Sequence, residues 1–320
     1  MKIAVVGCGA LGSYYGAKLA RAGQDVHFLL RSDYDVVRRR GVFIRSPEGD
    51  FNVRVRCARR PEEIGVSDLV LIGLKTTANA QFPVLLPPLA GPETAVLTLQ
   101  NGLGNEEQLA RLIPPSQILG GLCFVCLNRV EPGVIRHLDH GTVVLGEFQR
   151  WPEPRTHAIA ELFKRAGLTC RVTDNLAQAH WEKLVWNIPF NGLGVASAAG
   201  FEAFSENSVD VRAQGECLTT DKLLRDRQWE GLVRELMLEV IRAANALGHA
   251  IPENLAEKQI ERTRTMGAYQ ASTLVDFERN QPLELESLFG EPLRQAKGAG
   301  IATPRLERLF EILLALTRGR

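Results

Sequence analysis

Apolar and polar positions change their spacing about halfway along this 320-residue chain. Up to about residue 173, short apolar runs bounded by Gly, Pro, Asp or Asn alternate with helical stretches, as in α/β folds. From about residue 174 onward, apolar residues recur at helical spacing and strand signals stop. The pattern predicts an α/β domain over residues 1–173 and an all-helical domain over residues 174–320.

Several segments predict individual elements. Buried strands are predicted at residues 3–6, 25–30, 68–74, 93–99 and 169–172. A hairpin is predicted from the alternating runs 42–45 and 51–56, and an antiparallel addition to the sheet from the runs 133–137 and 142–147. Amphipathic helices are predicted at residues 14–22, 152–166, 229–246, 254–265 and 304–316, and an extended polar excursion at 202–215.

The first strand runs directly into Gly7-x-Gly9-x-x-Gly12 at the start of a helix. Gly7 permits a tight turn, Gly9 lets a phosphate approach the backbone, and Gly12 lets the helix lie close to the strand. The helix N-terminus adds N–H donors and a partial positive charge. We therefore predict a Rossmann-type domain that binds a dinucleotide pyrophosphate through Gly7, Gly9, Ala10, Leu11 and Gly12, the alternative being an ordinary strand–helix turn.

The residue just beyond the second predicted strand is Arg31. An acidic side chain here would accept hydrogen bonds from the ribose 2′-hydroxyl of NAD, whereas a guanidinium can clamp the 2′-phosphate of NADP. We therefore expect NADP(H) as the cofactor. The alternative is a surface arginine that only ends the sheet edge.

Two polar residues follow the next strands of the predicted sheet. Lys75 follows the strand at 68–74, and Asn101 follows the strand at 93–99. Because the carboxyl ends of the strands line the ligand crevice of an open α/β sheet, we expect both residues in the site. The Asn101 amide could donate to a substrate carbonyl and accept from the cofactor ribose. A solvated lysine and a simple Asn-Gly turn are the alternatives.

Charge and hydropathy favour a small-molecule substrate. The chain has 38 basic and 37 acidic residues, a net charge of +1, which gives no sign of a nucleic-acid partner or an anionic membrane surface. Apolar runs are too short to span a membrane, and the first strand leaves no room for a signal peptide, so a cytoplasmic protein is expected. The sequence does not decide whether the protein is a monomer or a homodimer.

The six cysteines lie mostly in apolar stretches and predict buried thiols in a reducing compartment. Cys123-Phe-Val-Cys126 has the spacing of a redox site or of half a zinc site. It lies in a strand-like run, and no second Cys or His pair follows at ligand spacing. We therefore expect no metal.

Lys183, Asn187 and Asn191 stand four residues apart, so they share one face of a helix. Their neighbours are large and apolar, so the three polar side chains must lie in a cleft or in a buried polar network. Pro189 falls between them and is expected to kink the helix, which makes the place of Asn191 the least certain.

A second polar group follows later in the helical half. Ser272 and Asp276 precede Pro282, which favours the start of a helix, and two carboxylates follow at Glu284 and Glu286. The two glutamates cannot share a helix face, so one of them is expected to point inward. The residues alone leave open which one.

Together these motifs resemble the ketopantoate reductase family over nearly the whole chain. They are Gly7-x-Gly-x-x-Gly12, Lys75-Thr-Thr, Leu99-Gln-Asn101-Gly, Lys183-x-x-x-Asn187-x-x-x-Asn191, Ser272-x-x-x-Asp276 and Glu284-x-Glu286. The resemblance implies NADPH-dependent reduction of ketopantoate to pantoate, a step towards pantothenate and coenzyme A. The chain departs from the family at Tyr269, where some members have Asn, at Glu286, where Asp is usual, at Pro189, and in the length of the 202–215 excursion.

The resemblance also implies roles for individual residues. The lysine matching Lys183 is the general acid, and the glutamate matching Glu284 assists in the active site. Residues matching Asn101, Asn187, Asn191 and Ser272 hold substrate or cofactor, and the lysine matching Lys75 lies near the nicotinamide.

This chemistry agrees with what the residues can do. Hydride transfer to a ketone leaves an alkoxide-like oxygen, and a lysine ammonium supplies both positive charge and a proton there. A cofactor on the first domain and the acid on the second would imply a cleft that closes on both ligands. Two alternatives stay open: a reductase of a different branched 2-keto acid, and an NADP(H) sensor without chemistry.

Overall fold

The computed structural model describes residues 1–205, 211–213 and 215–318. They form two compact units, Met1–Leu176 and Ala177–Arg320. The first unit holds ten strands: β1 (Lys2–Val6), β2 (Asp25–Leu29), β3 (Val42–Arg45), β4 (Phe51–Val53), β5 (Arg56–Ala58), β6 (Leu69–Ile72), β7 (Ala95–Thr98), β8 (Ile118–Glu131), β9 (Val134–Glu147) and β10 (Cys170–Val172). Its helices are α1 (Ala10–Arg21), α2 (Tyr34–Arg40), α3 (Phe82–Leu85), α4 (Asn105–Leu109) and α5 (Pro154–Arg165).

All ten strands belong to one sheet, whose order is β4-β3-β9-β8-β7-β6-β1-β2-β5, with β10 also beside β9. The strands β8, β7, β6, β1, β2 and β5 run parallel to one another, as expected of a Rossmann-type sheet. Apolar residues of α1 and α5 cover one face, and residues such as Phe82, Leu86 and Leu109 cover the other. The predicted α/β class is confirmed.

The sheet curls around α1. Its two outermost strands on the path, β4 and β5, are separated in sequence by residues 54–55 alone, so opposite edges of the sheet must come close together. As a result α1 is buried on every side over residues 12–19, including Ser13 and Lys18. The predicted amphipathic helix 14–22 is therefore part of a longer helix, Ala10–Arg21, that lies in the core.

The hairpin and the antiparallel addition are present, with different bounds. β3 and β4 pair antiparallel as predicted, but the predicted strand 51–56 is wrong beyond Val53, because Arg56 opens β5, which pairs with β2 instead. The runs 133–137 and 142–147 form one continuous strand, β9, which pairs antiparallel with β8. Irregular register in this pair, near Cys126 among other places, explains why the polar middle of β9 reads as a break.

Every regular element described in the second unit is helical, as predicted. The helices are α6 (Leu176–Ala196), α7 (Thr220–Arg225), α8 (Arg227–Ala246), α9 (Leu255–Arg264), α10 (Ser272–Glu278), α11 (Glu291–Gly298) and α12 (Pro304–Thr317). A short 3-10 turn covers Phe201–Phe204, whereas residues 206–210 and 214 of the predicted excursion lie outside the described residues. Among the described helices, none has the length and apolar character needed to cross a bilayer.

Pro189 does not end α6, which continues to Ala196. Pro282 does not open a helix, because the chain stays irregular until Leu285 and then forms a π-helical turn over Glu286–Gly290 before α11. A π-helical turn has hydrogen bonds between residues five apart rather than four, and such turns are often found at functional sites.

Candidate active site

The glycine turn between β1 and α1 is closely packed on its protein side and open on the other. A Cβ at Gly7, whose φ is +93°, would lie 2.2 Å from the Leu74 nitrogen, and one at Gly12 would lie 2.3 Å from the Gly7 oxygen. A Cβ at Gly9 would have no atom of the described residues within 4 Å. Gly7 and Gly12 therefore allow backbone contacts, and the space beside Gly9 fits a group that is not part of the protein.

Ser13 holds this turn in shape. Its hydroxyl donates to the Cys8 carbonyl at 3.0 Å, and its amide donates to the Gly9 carbonyl at 3.1 Å. The helix starts at Ala10, followed by Leu11, so the first N–H groups of α1 lie directly after the open glycine. This arrangement fits a pyrophosphate, because helix N-termini supply donors and a favourable dipole. The sequence pattern did not single out Ser13.

The segment after β2 carries an exposed arginine and a buried aspartate whose oxygens already accept hydrogen bonds. Arg31 is exposed, as predicted for a residue that could reach a 2′-phosphate. Asp33, two residues further, is buried, and its oxygens accept hydrogen bonds from the Arg129 guanidinium and from the Gly133 amide, the latter at 3.1 Å. Burial by itself would raise the pKa of Asp33, yet the hydrogen bonds from Arg129, Ser32 and Gly133 hold it below its usual value.

A second guanidinium stands at the same edge. β5 lies parallel to β2 with Ala58 opposite Leu29, so Arg59 follows β5 as Arg31 follows β2. The Arg59 side chain donates to both oxygens of Asp35, at 2.9 and 3.0 Å, and its guanidinium carbon lies 4.3 Å from the centre of the Tyr34 ring. Sequence reasoning missed this arginine because β5 was not expected to pair with β2.

Lys75 and Asn101 follow neighbouring parallel strands, as predicted. β6 pairs with β7 with Ile72 opposite Thr98, which brings the two following loops to one edge of the sheet. Lys75 precedes a 3-10 helix over Thr76–Gln81, and Asn101 leads into a turn in which Gly102 has φ +85°. The buried amides that lie beneath these loops escaped the sequence analysis.

In the second unit, α6 carries the predicted polar stripe. Lys183 is half-buried, whereas Asn187 and Asn191 are buried. The Asn191 Oδ1 atom accepts from the Ser272 hydroxyl at 3.2 Å, from the Thr273 amide at 3.1 Å and from the Thr273 hydroxyl at 3.0 Å. The structure therefore brings Asn191 and Ser272 together despite Pro189, and Asn191 also anchors the start of α10.

The two candidate glutamates differ in environment. Glu286 is exposed, and its side chain accepts from Arg294 at 2.9 Å on the surface. Glu284 is half-buried and lies just before the helical turn that begins at Leu285. Glu284 is therefore the better candidate for the inward carboxylate.

Aromatic side chains lie beside the polar stripe. The Trp186 ring lies 5.0 Å from the Phe190 ring and 6.2 Å from the Tyr269 ring, measured between centroids. The Trp186 Nε1–H donates to the Thr263 hydroxyl at 2.9 Å, which fixes the indole. Tyr269, the departure from the family pattern, thus belongs to an aromatic cluster next to the helix that carries Lys183.

The candidate residues therefore fall into two sets. One lies at the carboxyl edge of the sheet and has the form of a dinucleotide site, and it comprises Gly7, Gly9, Ala10, Leu11, Gly12, Arg31, Lys75 and Asn101. The other lies in the second unit and comprises Lys183, Asn187, Asn191 and Ser272 on helices, and Glu284 just before a helical turn. A Rossmann-type sheet with a separate set of polar helix residues is the arrangement of two-domain nucleotide-dependent enzymes.

Comparison with known proteins identifies the family. The model of Ketopantoate reductase PanE/ApbA matches residues 3–150, and that of its C-terminal domain matches residues 210–317. The chain is 39% identical to the 2-dehydropantoate 2-reductase of Nostoc sp. over 318 residues, which cover 98% of this chain and 94% of that protein. The chain belongs to the ketopantoate reductase family.

Solved structures agree with this assignment. A 2-dehydropantoate 2-reductase from Geobacter metallireducens superposes with a TM-score of 0.89 at 45% identity, covering 98% of this chain and 99% of that one. A ternary structure of D-mandelate dehydrogenase with NADH and anilino(oxo)acetate has a TM-score of 0.83 at 20% identity, covering 98% and 97% of the two chains. The latter similarity extends to the fold alone.

Proposed function

We propose that this protein is an oxidoreductase that reduces ketopantoate (2-dehydropantoate) to pantoate with a nicotinamide cofactor, a step towards pantothenate and coenzyme A. The observation that carries the proposal is the match of both halves of the chain to one family, with a relative named 2-dehydropantoate 2-reductase aligned over 98% of the chain. The open side of the glycine turn supports the nucleotide, and the polar stripe on α6 supports the keto acid.

We assign NADP(H) as the cofactor on the residues that follow β2. Arg31 is exposed and can meet a 2′-phosphate. Asp33 is the nearby acid that could instead accept from a ribose hydroxyl, and it already accepts from Arg129 and Gly133. Arg59 lies at the neighbouring strand end, but its charge is paired with Asp35, so Arg31 is the guanidinium on which the assignment rests. These contacts favour a phosphate over a hydroxyl at this position.

A bound nicotinamide would supply the hydride, and the residues of this chain would supply position, charge and a proton. We assign Lys183 as the general acid, because an ammonium can stabilise the developing alkoxide and protonate it. Glu284 would offset the cost of holding that charge in a half-buried position, and it could accept from a substrate hydroxyl. Lys75 and Asn101 would contact the cofactor and the substrate from the sheet edge.

The contacts of Asn191 refine its proposed role. Because its oxygen accepts three hydrogen bonds from Ser272 and Thr273, the group it would offer to a ligand is its NH2. An amide donor suits a carboxylate or a carbonyl oxygen. We therefore propose that Asn191 and Asn187 hold the acidic end of the substrate, with Ser272 beside them.

A panel of 2-keto acids, each assayed with NADPH and with NADH, tests the proposal. We expect NADPH oxidation with ketopantoate, and a kcat/KM about tenfold or more higher with NADPH than with NADH, the effect of one charge-assisted contact. Turnover with another branched keto acid but none with ketopantoate would replace the substrate and keep the class. Nucleotide binding without turnover across the panel would favour the sensor.

One observation favours the second substrate class. Tyr269 and Trp186 form an aromatic cluster beside the stripe, and aromatic walls accommodate bulky apolar groups. A preference of this protein for a larger branched or aromatic keto acid, moved towards ketopantoate by Tyr269→Asn, would support that alternative.

A further inference from the structure

Beneath the loops that carry Lys75 and Asn101 lies a chain of three buried side-chain amides, from Gln100, Asn79 and Asn105. Their exposed fractions are 4%, 7% and 0%. Asn79 lies in the 3-10 helix that follows β6, Gln100 lies in the loop after β7, and Asn105 is the first residue of α4. Buried amides are retained where their hydrogen bonds connect parts that must stay in register.

The amides are joined in one direction. Gln100 Nε2 donates to Asn79 Oδ1 at 2.7 Å, and Asn79 Nδ2 donates to Asn105 Oδ1 at 3.1 Å. Asn105 Nδ2 then donates to the backbone carbonyl of Asn101 at 3.1 Å. The Thr98 hydroxyl donates to Gln100 Oε1 at 3.0 Å and so directs the Gln100 NH2 group towards Asn79.

The other loop is tied to the same chain. Asn79 lies in the 3-10 helix Thr76–Gln81 that Lys75 precedes, and the Ala78 amide donates to the Lys75 carbonyl at 2.9 Å. Asn79 is thus the cross-link between the backbone that presents Lys75 and the backbone that presents Asn101. We propose that Gln100, Asn79 and Asn105 are positioning residues, which set the separation and orientation of Lys75 and Asn101 at the nucleotide end of the site. The inference rests on the function proposed above.

The single direction of the hydrogen bonds explains how a change at one end reaches the other. If the Gln100 donor becomes an acceptor, Asn79 must turn its amide over to keep a bond, and Asn105 must follow. The last amide would then place its oxygen against the Asn101 carbonyl, where two acceptors repel. The backbone at Asn101 must shift, and a displacement of about 1 Å can lower a rate about a hundredfold.

The matched control is Gln117, which directly precedes β8 and so lies at the amino-terminal ends of the parallel strands, away from the proposed site. It is also buried, at 7% exposure, and its Nε2 donates to the Gly91 carbonyl at 2.6 Å and to the Thr94 carbonyl at 2.9 Å. Those carbonyls precede β7, whereas Gln100 follows it. Gln117→Glu therefore makes the same buried change without touching the proposed site.

The experiment compares Gln100→Glu with Gln117→Glu. We expect both variants to lower Tm, but only Gln100→Glu to raise the Kd for NADPH about tenfold and to lower kcat/KM about ten- to a hundredfold, measured well below both Tm values. If either glutamate variant fails to fold, Gln100→Met and Gln117→Met remove the same donors without adding charge, and the same difference is expected.

The outcomes separate the two proposals. Equal Kd and kcat/KM in the Gln100 and Gln117 variants would overturn the positioning role, whatever the wild type reduces. Failure of the wild type to reduce any keto acid, together with a raised NADPH Kd in Gln100→Glu alone, would overturn the proposed function and support the positioning role. Binding of neither nucleotide by the wild type would overturn both.

Discussion

The glycine turn of the first unit and the polar stripe on α6 of the second present their candidate site residues in opposite ways. In the first, the glycine turn depends on the absence of side chains, since a Cβ at Gly7 or Gly12 would meet backbone atoms at 2.2 and 2.3 Å. In the second, the candidate residues Lys183, Asn187 and Asn191 offer side chains that project from α6. Harm should therefore come from adding atoms in the glycine turn and from removing them on α6.

The largest effect is expected for Lys183→Ala. Removing a general acid lowers the rate by about 10²- to 10⁴-fold, and the change leaves the proposed nucleotide site of the first unit untouched. We therefore expect kcat to fall by that factor, while the Kd for NADPH, measured by fluorescence titration, changes little. The control is Lys258→Ala, an exposed lysine on α9, which should leave kcat unchanged.

Unchanged turnover in Lys183→Ala would remove the acid assignment. A raised Kd for NADPH with normal kcat would instead move Lys183 into the nucleotide site, and the contrast between the two units would no longer hold.

The next effect comes from adding a methyl group to the glycine turn. Gly12→Ala forces a Cβ against the Gly7 carbonyl, and overpacking of this kind costs about 1–3 kcal/mol of unfolding free energy. Gly9→Ala has open space around it, so the unfolding free energy should stay close to that of the wild type. Both variants should weaken NADPH binding, Gly9→Ala because its methyl group occupies the position proposed for the pyrophosphate.

Urea unfolding and NADPH titration of the pair decide this point. Normal NADPH affinity in Gly9→Ala would mean that the open side of the turn does not hold the nucleotide. A fully stable Gly12→Ala would mean that the helix can shift away from β1.

The two regions also differ in how far their sequence predicts them. The glycine turn is visible in a stretch of a few residues, because strand, turn and helix follow one another directly. The stripe on α6 is visible through its spacing, but its partner Ser272 lies 81 residues away, and only folding identifies which oxygen it meets.

Other features depend on pairings that local patterns do not encode. The hydrogen bonds of Asp33 depend on Arg129, which lies 96 residues further along the chain. The chain of buried amides depends on contact between the segments that follow β6 and β7. The burial of α1 depends on the curl of the sheet, which follows from β5 joining β2. Strand and helix types were therefore predicted well, whereas bounds, edge pairings and polar networks were not.

A smaller effect is expected at the rim of the nucleotide site. Arg31→Gln removes the charge-assisted contact proposed for a 2′-phosphate; such a contact is worth about 1.5–3 kcal/mol, so we expect the KM for NADPH to rise about tenfold or more. The KM for NADH should stay the same, because NADH lacks the phosphate. Equal changes for both nucleotides would place Arg31 outside the phosphate contact, and a preference for NADH in the wild type would contradict the assignment of NADP(H).

The smallest effect concerns Asp33, a side chain of the first unit that stabilises the fold beside the site. Burial alone would raise the pKa of Asp33, but its hydrogen bonds hold the pKa below the usual value. The ionised form of Asp33 therefore stabilises the folded state. That contribution is complete above the unfolded-state pKa of about 3.9 and is lost as the pH falls through the lower folded-state pKa. Asp33→Asn should therefore be less stable than the wild type at pH 7, with a difference that shrinks in acid.

Urea unfolding of wild type, Asp33→Asn and the exposed control Asp35→Asn at a series of pH values from about 7 to about 2 measures this difference, since the window runs from the unfolded-state pKa of about 3.9 down through the lower folded-state pKa. Asp35→Asn should differ little from the wild type throughout, because surface ion pairs such as that of Asp35 with Arg59 contribute little. A difference between wild type and Asp33→Asn that stays constant with pH would mean that shape, rather than charge, is what Asp33 contributes. The contacts of Asp33 with Arg129 and Gly133 would then no longer support the assignment of NADP(H) over NAD(H).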